Sequence, residues 1–258
     1  MSGVVRGVTL VADPADPEAP HRGIVSLERA TMEGVDFRKA SFAQFQSTGC
    51  VFVRCDFRGL TFDSRLQALF VSRIQSVFRE CRFDEADLRK AGPGQSRFER
   101  CSFDGARLDK WTSLYGEFVD CHFAGRISGA KFYGRPHGSS ASQLAPARAV
   151  NEFQRNDFRD AKLVDTLFVH GIPLAQQQWP EGPDHVRFDR FHQRVQRARL
   201  EAMRLADLER RQAALEMILR LSTVYGEQTD IVRLRHDDGR TPLEIQDQVW
   251  ELIARPLI

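Results

Sequence analysis

The sequence FRECRFDEADL at residues 78–88 returns as FERCSFDGARL at 98–108 and begins again as FVDCHF at 118–123. The copies keep Phe, Cys and Phe in register at a spacing of 20 residues. Inside each copy the large apolar residues lie five apart, and a small residue stands two positions before the second and the third. This period fits neither a helix nor a plain strand, and recurrence at a fixed longer spacing is typical of stacked-repeat proteins.

The same register extends along the chain and defines three rows of large residues. The first row is Met32, Phe52, Phe78, Phe98, Phe118 and Phe153; the second is Phe37, Phe57, Phe83, Phe103, Phe123 and Phe158; the third is Phe42, Phe62, Leu88, Leu108 and Leu163, with a lapse at Ser128. Longer spacings within the rows predict two insertions, near residues 65–75 and 134–150.

In these rows the chain resembles the pentapeptide-repeat family, in which a small residue, any residue and a Leu or Phe recur every five positions. The resemblance covers about residues 27–170. It implies an all-β solenoid, a right-handed quadrilateral β-helix with one pentapeptide per side, here of about six coils. The polar residue that the family places before the central position stands only at some sites, such as Asp36, Asp56, Asp87 and Asp157.

The rows are predicted to be the core. A residue that recurs once per coil stacks on its copies at about 4.8 Å, the distance between paired strands, and neighbouring repeats bury what one repeat cannot. The 19 Phe against 3 Tyr fit rings that lie away from water. Cys81, Cys101 and Cys121 are predicted to form an inward ladder of free thiols, because parallel stacked side chains suit neither a disulfide nor zinc.

Composition divides the chain into four predicted parts. Residues 1–23 form a flexible arm rich in Pro and acid. Residues 24–170 form the β-helix, and residues 171–184, with three prolines, form a linker. Residues 185–258 form a C-terminal helical module, because Arg, Ala, Leu and Glu dominate there at helical spacing.

The module is predicted to contain one long helix or two up to Tyr225, a short strand at 230–236 and a final helix that begins at Thr241 and Pro242. Leucines recur at helical spacing in its middle, at Leu208, Leu215 and Leu219. The final helix carries an apolar stripe that needs a covering surface, and this stripe includes Trp250.

The fourth side of the coils is irregular and is the predicted location of a binding surface, since loops on a rigid scaffold commonly carry function. Its candidate contact residues are Trp111, Tyr115, Tyr133 and Arg135. The structural alternative is that Trp111 and Tyr133 only fill a corner of the core.

A second candidate surface is basic. Arg187, Arg190, Arg194 and Arg197 recur at intervals of three, four and three, which places them along one face of a helix. Such a face is either solvated or docks on an acidic protein surface or on phosphates.

The sequence favours a protein without enzymatic activity. No nucleophile elbow, phosphate-binding loop or metalloprotease motif occurs, and no residues are assigned to catalysis, a cofactor or a metal. No apolar run approaches the length of a membrane span, so no membrane association is expected. With cysteines confined to the repeat, we expect a cytoplasmic protein.

Three functions remain open. The first is an interaction scaffold, a rigid rod whose C-terminal module docks a protein partner or a second copy. The second, implied by the resemblance, is a DNA mimic that protects or inhibits DNA gyrase or a related topoisomerase. It needs long acidic rows, whereas residues 24–170 hold 22 Lys and Arg against 18 Asp and Glu. The third, less favoured, is nucleic-acid binding through the arginines.

Overall fold

The computed structural model describes residues 4–6, 23–38, 41–62, 72, 74–89 and 92–257. Its strands are β1 (Val4–Arg6), β2 (Gly23–Glu28), β3 (Thr31–Glu33), β4 (Ser41–Thr48), β5 (Val51–Val53), β6 (Thr61–Phe62), β7 (Val77–Arg79), β8 (Arg97–Glu99), β9 (Ser102–Asp104), β10 (Thr112–Ser113), β11 (Glu117–Val119), β12 (His122–Ser128), β13 (Lys131–Tyr133), β14 (Phe153–Gln154), β15 (Ala161–Val164), β16 (Leu167–Val169), β17 (His185–Phe188) and β18 (Ile231–Leu234). The helices are α1 (Phe191–Ala202), α2 (Leu208–Val224) and α3 (Leu243–Ala254), and two 3₁₀ turns span Ala141–Gln143 and Leu174–Gln176.

Parallel pairing between successive repeats builds most of the molecule. The largest sheet has the order β1-β3-β5-β7-β8-β11-β14. Phe78 pairs with Phe98, and Phe98 pairs with Phe118, so that one sequence repeat advances the chain by one strand. Phe52 pairs with Phe78 and Phe118 with Phe153 across the two insertions. The predicted first row and both insertions are therefore confirmed.

Three smaller parallel sheets, β2-β4-β6, β9-β12-β15 and β10-β13-β16, form the other faces of the repeats. The strands are short because the chain turns after nearly every one. At the turn after the first-row strands the backbone repeatedly adopts a left-handed conformation, which residues other than glycine adopt rarely. The residues and φ angles at this turn are Arg54 (52°), Glu80 (54°), Arg100 (52°), Asp120 (54°) and Arg155 (52°).

The core is a stack of aromatic rings. In the second row Phe37 lies on Phe57 with a centroid distance of 4.5 Å and an interplanar angle of 4°. The same geometry returns at the other end, between Phe123 and Phe158. Rings of the first row meet this column edge to face, as Phe52 meets Phe57 at 5.8 Å and 69°. All these rings are buried, as predicted.

The cysteines are free and buried, and they form the predicted inward ladder. The thiols donate weak hydrogen bonds to first-row carbonyls one repeat earlier: Cys81 to Phe52 (3.6 Å), Cys101 to Phe78 (3.3 Å) and Cys121 to Phe98 (3.4 Å). Each small side chain thus lies against the backbone of the stack, which explains why a larger residue does not stand there.

The predicted lapse at Ser128 does not leave a gap. Ile127 is buried and pairs with Leu163, so it takes the third-row place one residue early. Ile127 follows Phe123 by four positions, whereas Leu108 follows Phe103 by five, and the shortened corner contains Gly125, whose φ is +83°. A Cβ at this position would lie 3.3 Å from the Cα of Gly105.

Residues 171–184, predicted to be a linker, instead pack on the end of the stack. Ile172, Leu174 and Trp179 are buried in the same core as the Phe rows. The Trp179 ring stacks on Phe158 at 5.1 Å and 11°, so it ends the second-row column. The Phe158 N–H donates to the Gln178 carbonyl at 2.8 Å, which continues the pairing between coils.

The predicted N-terminal arm is described only in part. Val4–Arg6 form β1, which pairs in parallel with β3 and thus belongs to the largest sheet. Residues 1–3 and 7–22 lie outside the described residues, as do residues 63–71 and 73 of the first insertion.

The C-terminal module contains three helices and a two-stranded antiparallel sheet, β17 with β18. The predicted strand is β18. Its partner β17 was predicted as helix and is a strand. Of the two predicted possibilities, one long helix or two, the structure has two, and the side chain of Asp207 caps the second by accepting from the Arg210 N–H at 3.0 Å. The last helix begins at Leu243 with Pro242 as its N-cap. The Thr241 hydroxyl donates to a carboxylate oxygen of Asp238 and does not cap the helix.

The module is joined to the repeats by shared packing. Val232 of β18 lies in the core of the repeats, and Val169 of β16 lies in the core of the module. Gln228 donates to the Ile172 carbonyl at 2.7 Å and accepts from the Gly171 N–H at 2.9 Å. The described part of the chain holds no helix that is long and apolar enough to cross a membrane.

Candidate protein-interaction surface

The helix α2 presents two different apolar faces. The inner face packs in the module core through Ala214, Met217, Ile218 and Leu221. The leucine stripe noticed in the sequence is only partly exposed: Leu208 is 64% exposed and Leu219 is 65% exposed, whereas Leu215 between them is half-buried against the module core. Exposed large apolar side chains grouped on one surface commonly mark an interaction site.

Together with the end of α1 these leucines form a groove, here called the α2 groove. Its volume is about 470 Å³. Met203, which is 45% exposed, lies on its α1 side. The lining residues are Arg199, Met203, Leu208, Arg211, Gln212, Leu215, Glu216, Ile218, Leu219 and Ser222.

The predicted uncovered stripe of the last helix is, by contrast, covered. Ile245, Val249, Leu252 and Ile253 are buried in the module core. Trp250 is 1% exposed, and its Nε1 donates to the Arg235 carbonyl at 2.8 Å. The expectation that Trp250 contacts a partner is therefore wrong, because α1 and α2 already cover this helix.

The predicted arginine stripe is also divided by the structure. Arg187 lies in β17, and Arg190 is the N-cap of α1 with a φ of 46°. Only Arg194 and Arg197 lie within the helix. The four arginines therefore do not form one helical face, because the helix starts later than predicted.

Arg194 and Arg197 bind the carboxyl end of α3. Arg194 Nη1 donates to the carbonyls of Ile253 (3.3 Å) and Arg255 (3.1 Å). Arg197 Nη2 donates to the Leu252 carbonyl at 2.8 Å, and its Nη1 donates to the Pro256 carbonyl. The last carbonyls of a helix have no partner inside the helix and attract cations. These two side chains thus bind α3 within the module, and the docking role predicted for them stays a prediction.

Arg187 and Arg190 are exposed. Arg190 Nε forms an ion pair with Asp189 at 3.2 Å. Asp189 also pairs with Arg194 at 2.7 Å, and the two guanidinium groups hold the pKa of its carboxyl below the usual value. Part of the positive charge that was predicted to attract phosphate is neutralised within the module.

On the irregular side of the repeats, Trp111 is 2% exposed and packs against Phe98, Phe103, Phe118 and Phe132. It fills the core, so it does not reach a partner at the surface. The alternative raised from the sequence, that Trp111 fills a corner, is the correct one.

Tyr133 and Arg135 lie at a ring stack near the end of the repeats. Half-buried Tyr133 stacks on His170 at 5.0 Å, and His137 stacks on the same imidazole at 4.6 Å. His170 Nδ1 lies 3.0 Å from a carboxylate oxygen of Glu227 in the module. Arg135 is exposed beside it. Tyr133 thus belongs to a set of contacts that joins the second insertion to the module.

Tyr115 is half-buried and lines a cavity of about 720 Å³ on the irregular side. The second insertion forms one wall. Arg148 and Asn151 anchor it, because Arg148 donates to the Tyr115 carbonyl and Asn151 Nδ2 donates to the carbonyls of Leu114 (2.9 Å) and Tyr133 (2.8 Å). The described lining residues are uncharged.

Charge on the repeats is neutralised by regular ion pairs. Arg100 bonds Glu80 at 3.0 Å, and Arg155 bonds Asp120 at 2.6 Å, each one coil away. A second set joins residues two apart, in which Arg38 donates to both carboxylate oxygens of Asp36 and lowers the pKa of that carboxyl. The same Asp-x-Arg pairing recurs at Asp56 with Arg58, Asp87 with Arg89 and Asp157 with Arg159.

The sequence had a signal for the α2 groove, namely the spacing of Leu208, Leu215 and Leu219. Helical periodicity identifies an apolar face, but it does not tell which of two faces is buried. In the described residues, no group of three or more His, Cys, Asp or Glu side chains is placed to hold a metal ion.

No protein-family model and no curated protein matches the sequence. Similar solved structures include a trypsin-treated variant of QnrB1, described as a plasmid-mediated fluoroquinolone resistance protein, at 14% identity over 70% of this chain and 90% of that one, with a TM-score of 0.27. A second trypsin-treated variant of QnrB1 matches at 15% identity over 66% of this chain and 80% of that one, with a TM-score of 0.29. Superpositions with TM-scores below 0.5 do not define a common fold.

Proposed function

We propose that this chain is a non-enzymatic interaction scaffold of the pentapeptide-repeat type. Its repeats form a right-handed, four-sided β-helix that serves as a rigid rod, and its C-terminal module docks a protein partner or a second copy. The 20-residue register of the parallel strands and the rows of stacked rings support the rod. A column of close-packed side chains resists bending, because its neighbours cannot separate without opening the core.

The α2 groove is the observation that carries the docking role. The module had enough apolar residues to cover α3 and the inner face of α2, yet it leaves Met203, Leu208 and Leu219 in contact with water. Burying each leucine is worth about 1.5–3 kcal/mol. A partner that covers this groove would recover that free energy, which makes the α2 groove the strongest candidate interface.

Two further properties complete the proposal. The protein acts without catalysis, which agrees with an irregular side whose described cavity is lined by uncharged side chains. It resides in the cytoplasm, which agrees with five cysteines that remain free thiols, because reducing compartments keep thiols free.

The alternative, a DNA mimic that acts on gyrase, requires a surface with uncompensated negative charge. In the part of the repeats that the structure describes, most carboxylates pair with an arginine, so the charge pattern favours the scaffold. A supercoiling assay with gyrase and a gyrase poison tests the alternative directly, since protection or inhibition at micromolar protein would support it.

A pull-down from native lysate tests the scaffold function. The variant Leu208→Glu/Leu219→Glu places charge in the α2 groove. Leu243→Glu is the matched control, because Leu243 is 59% exposed and lies on α3 outside the groove. A stoichiometric protein captured by the wild type and by the control but lost from the groove variant supports the proposal. Equal capture by all three, or no capture, would refute it.

A further inference from the structure

The α2 groove has two chemically different rims. Arg199 of α1 lies on one rim, and Arg211 belongs to the same rim because it donates to the Leu205 carbonyl in the connection between α1 and α2. Gln212 and Glu216 lie on the other rim and bond each other at 3.2 Å. With 3.6 residues per turn, Arg211 and Glu216 fall on opposite sides of the leucine stripe. The rims therefore carry two cations against one anion.

The size of the groove indicates the size of its occupant. Leu208 and Leu219 are 11 residues apart, which corresponds to about 16 Å along the helix and three helical turns. Ten residues line the groove, whereas a standard stable interface uses about 20–30 residues per side. This surface fits one short helix better than a whole folded partner.

We infer that the α2 groove binds a short amphipathic helix of a partner protein. The helix is about three turns long, places apolar residues in the groove at i, i+4 and i+7, and carries Asp or Glu on the flank that meets Arg199 and Arg211. This inference rests on the proposed docking function and specifies the chemistry of the partner.

A second copy of α2 fits this groove less well in the antiparallel arrangement. Two-fold symmetry would then lay each rim against its own copy, so that Arg211 meets the basic rim and Glu216 meets the acidic rim. Like charges in contact destabilise a helix pair. A helix with an acidic flank avoids this repulsion.

Two synthetic peptides of about 14 residues, with the same leucine stripe but either Glu or Lys on both flanks, test the inference on the full chain. Fluorescence anisotropy should show that the Glu peptide binds at least about tenfold more tightly at low salt, and that the difference shrinks at high salt. The variant Arg199→Glu leaves one cation against two anions on the rims, so it should reverse the preference. Arg204→Glu, an exposed arginine outside the groove, should retain it.

Equal binding of the two peptides, or no binding of either, would overturn the inference. A dimer in light scattering that Leu219→Glu dissociates would also overturn it, because the occupant would then be a second copy. In each of these cases the pull-down with Leu208→Glu/Leu219→Glu still shows whether any partner protein needs the α2 groove. Failure of the helix assignment is thus distinguishable from failure of the proposed function.

Discussion

Replacing Trp179 by alanine tests whether residues 171–184 end the stack or link two parts. Trp179 is 5% exposed. Its ring stacks on Phe158 and meets Phe168 edge to face at 4.7 Å. Its Nε1 donates to the Leu174 carbonyl at 2.8 Å. The indole therefore contributes both apolar burial and a hydrogen bond to the end of the column.

The expected cost of Trp179→Ala follows from these contacts. Truncation of a buried Trp to Ala costs about 3–5 kcal/mol, and the Leu174 carbonyl loses a donor in addition. Against a total stability of about 5–15 kcal/mol, this is a large loss. Trp179→Phe keeps a stacked ring and loses the hydrogen bond and part of the ring contact, so it should cost less, about 1–3 kcal/mol.

Urea unfolding followed by circular dichroism measures both variants, with free energies taken from the midpoint and the slope. Two results would refute the reasoning. If Trp179→Ala unfolds within about 1 kcal/mol of the wild type, the segment is a linker after all. If Trp179→Phe is as unstable as Trp179→Ala, the hydrogen bond and not the ring stack holds the segment.

Three further substitutions test other parts of the structure. Arg197→Met should lower the free energy of unfolding by about 1.5–3 kcal/mol through loss of hydrogen bonds to α3, and urea midpoints unchanged from the wild type would contradict that role. Tyr225→Phe removes a buried hydroxyl without a partner among the described residues, so the variant should be as stable as the wild type or more stable in urea unfolding. Burial raises the pKa of Tyr225 to about 12, so the ionisation near pH 12 should be missing from an alkaline absorbance titration of the variant. The hydrogen bonds from Arg159 lower the pKa of Asp157 below its usual 3.8, so the stability that this pair contributes is complete well above that pH and is lost as the pH falls through the lowered pKa. In urea unfolding at a series of pH values, Asp157→Asn should therefore reduce the loss of stability below about pH 4.

The arrangement of charged and aromatic side chains outside the rows was harder to predict than the rows themselves. Trp111 and Tyr133 are aromatic residues on the irregular side of the repeats, where a binding loop was predicted. Trp111 instead fills the core, and Tyr133 joins the second insertion to the module. Arg194 and Arg197 looked like part of a surface stripe. They bind carbonyls about 60 residues later in the chain, and nothing in the local sequence reports such a contact.

The sequence by itself determined the repeating part of this protein. Each coil has the same neighbours above and below, so a fixed period is enough to assign the rows, their register and the positions of both insertions. Local spacing also located the last helix and the strand at 231–234. These features depend on residues that are close in sequence or one repeat apart.

Only the tertiary structure decided what is covered and what is left open. The periodicity of α2 marks apolar residues, but the position of α1 and α3 determines that Met217 and Leu221 are buried while Leu208 and Leu219 face water. The three prolines near Trp179 indicate a loop, but the open end of the aromatic column determines that its ring is buried. Burial depends on which distant segments meet, and a single helix or loop does not encode that information.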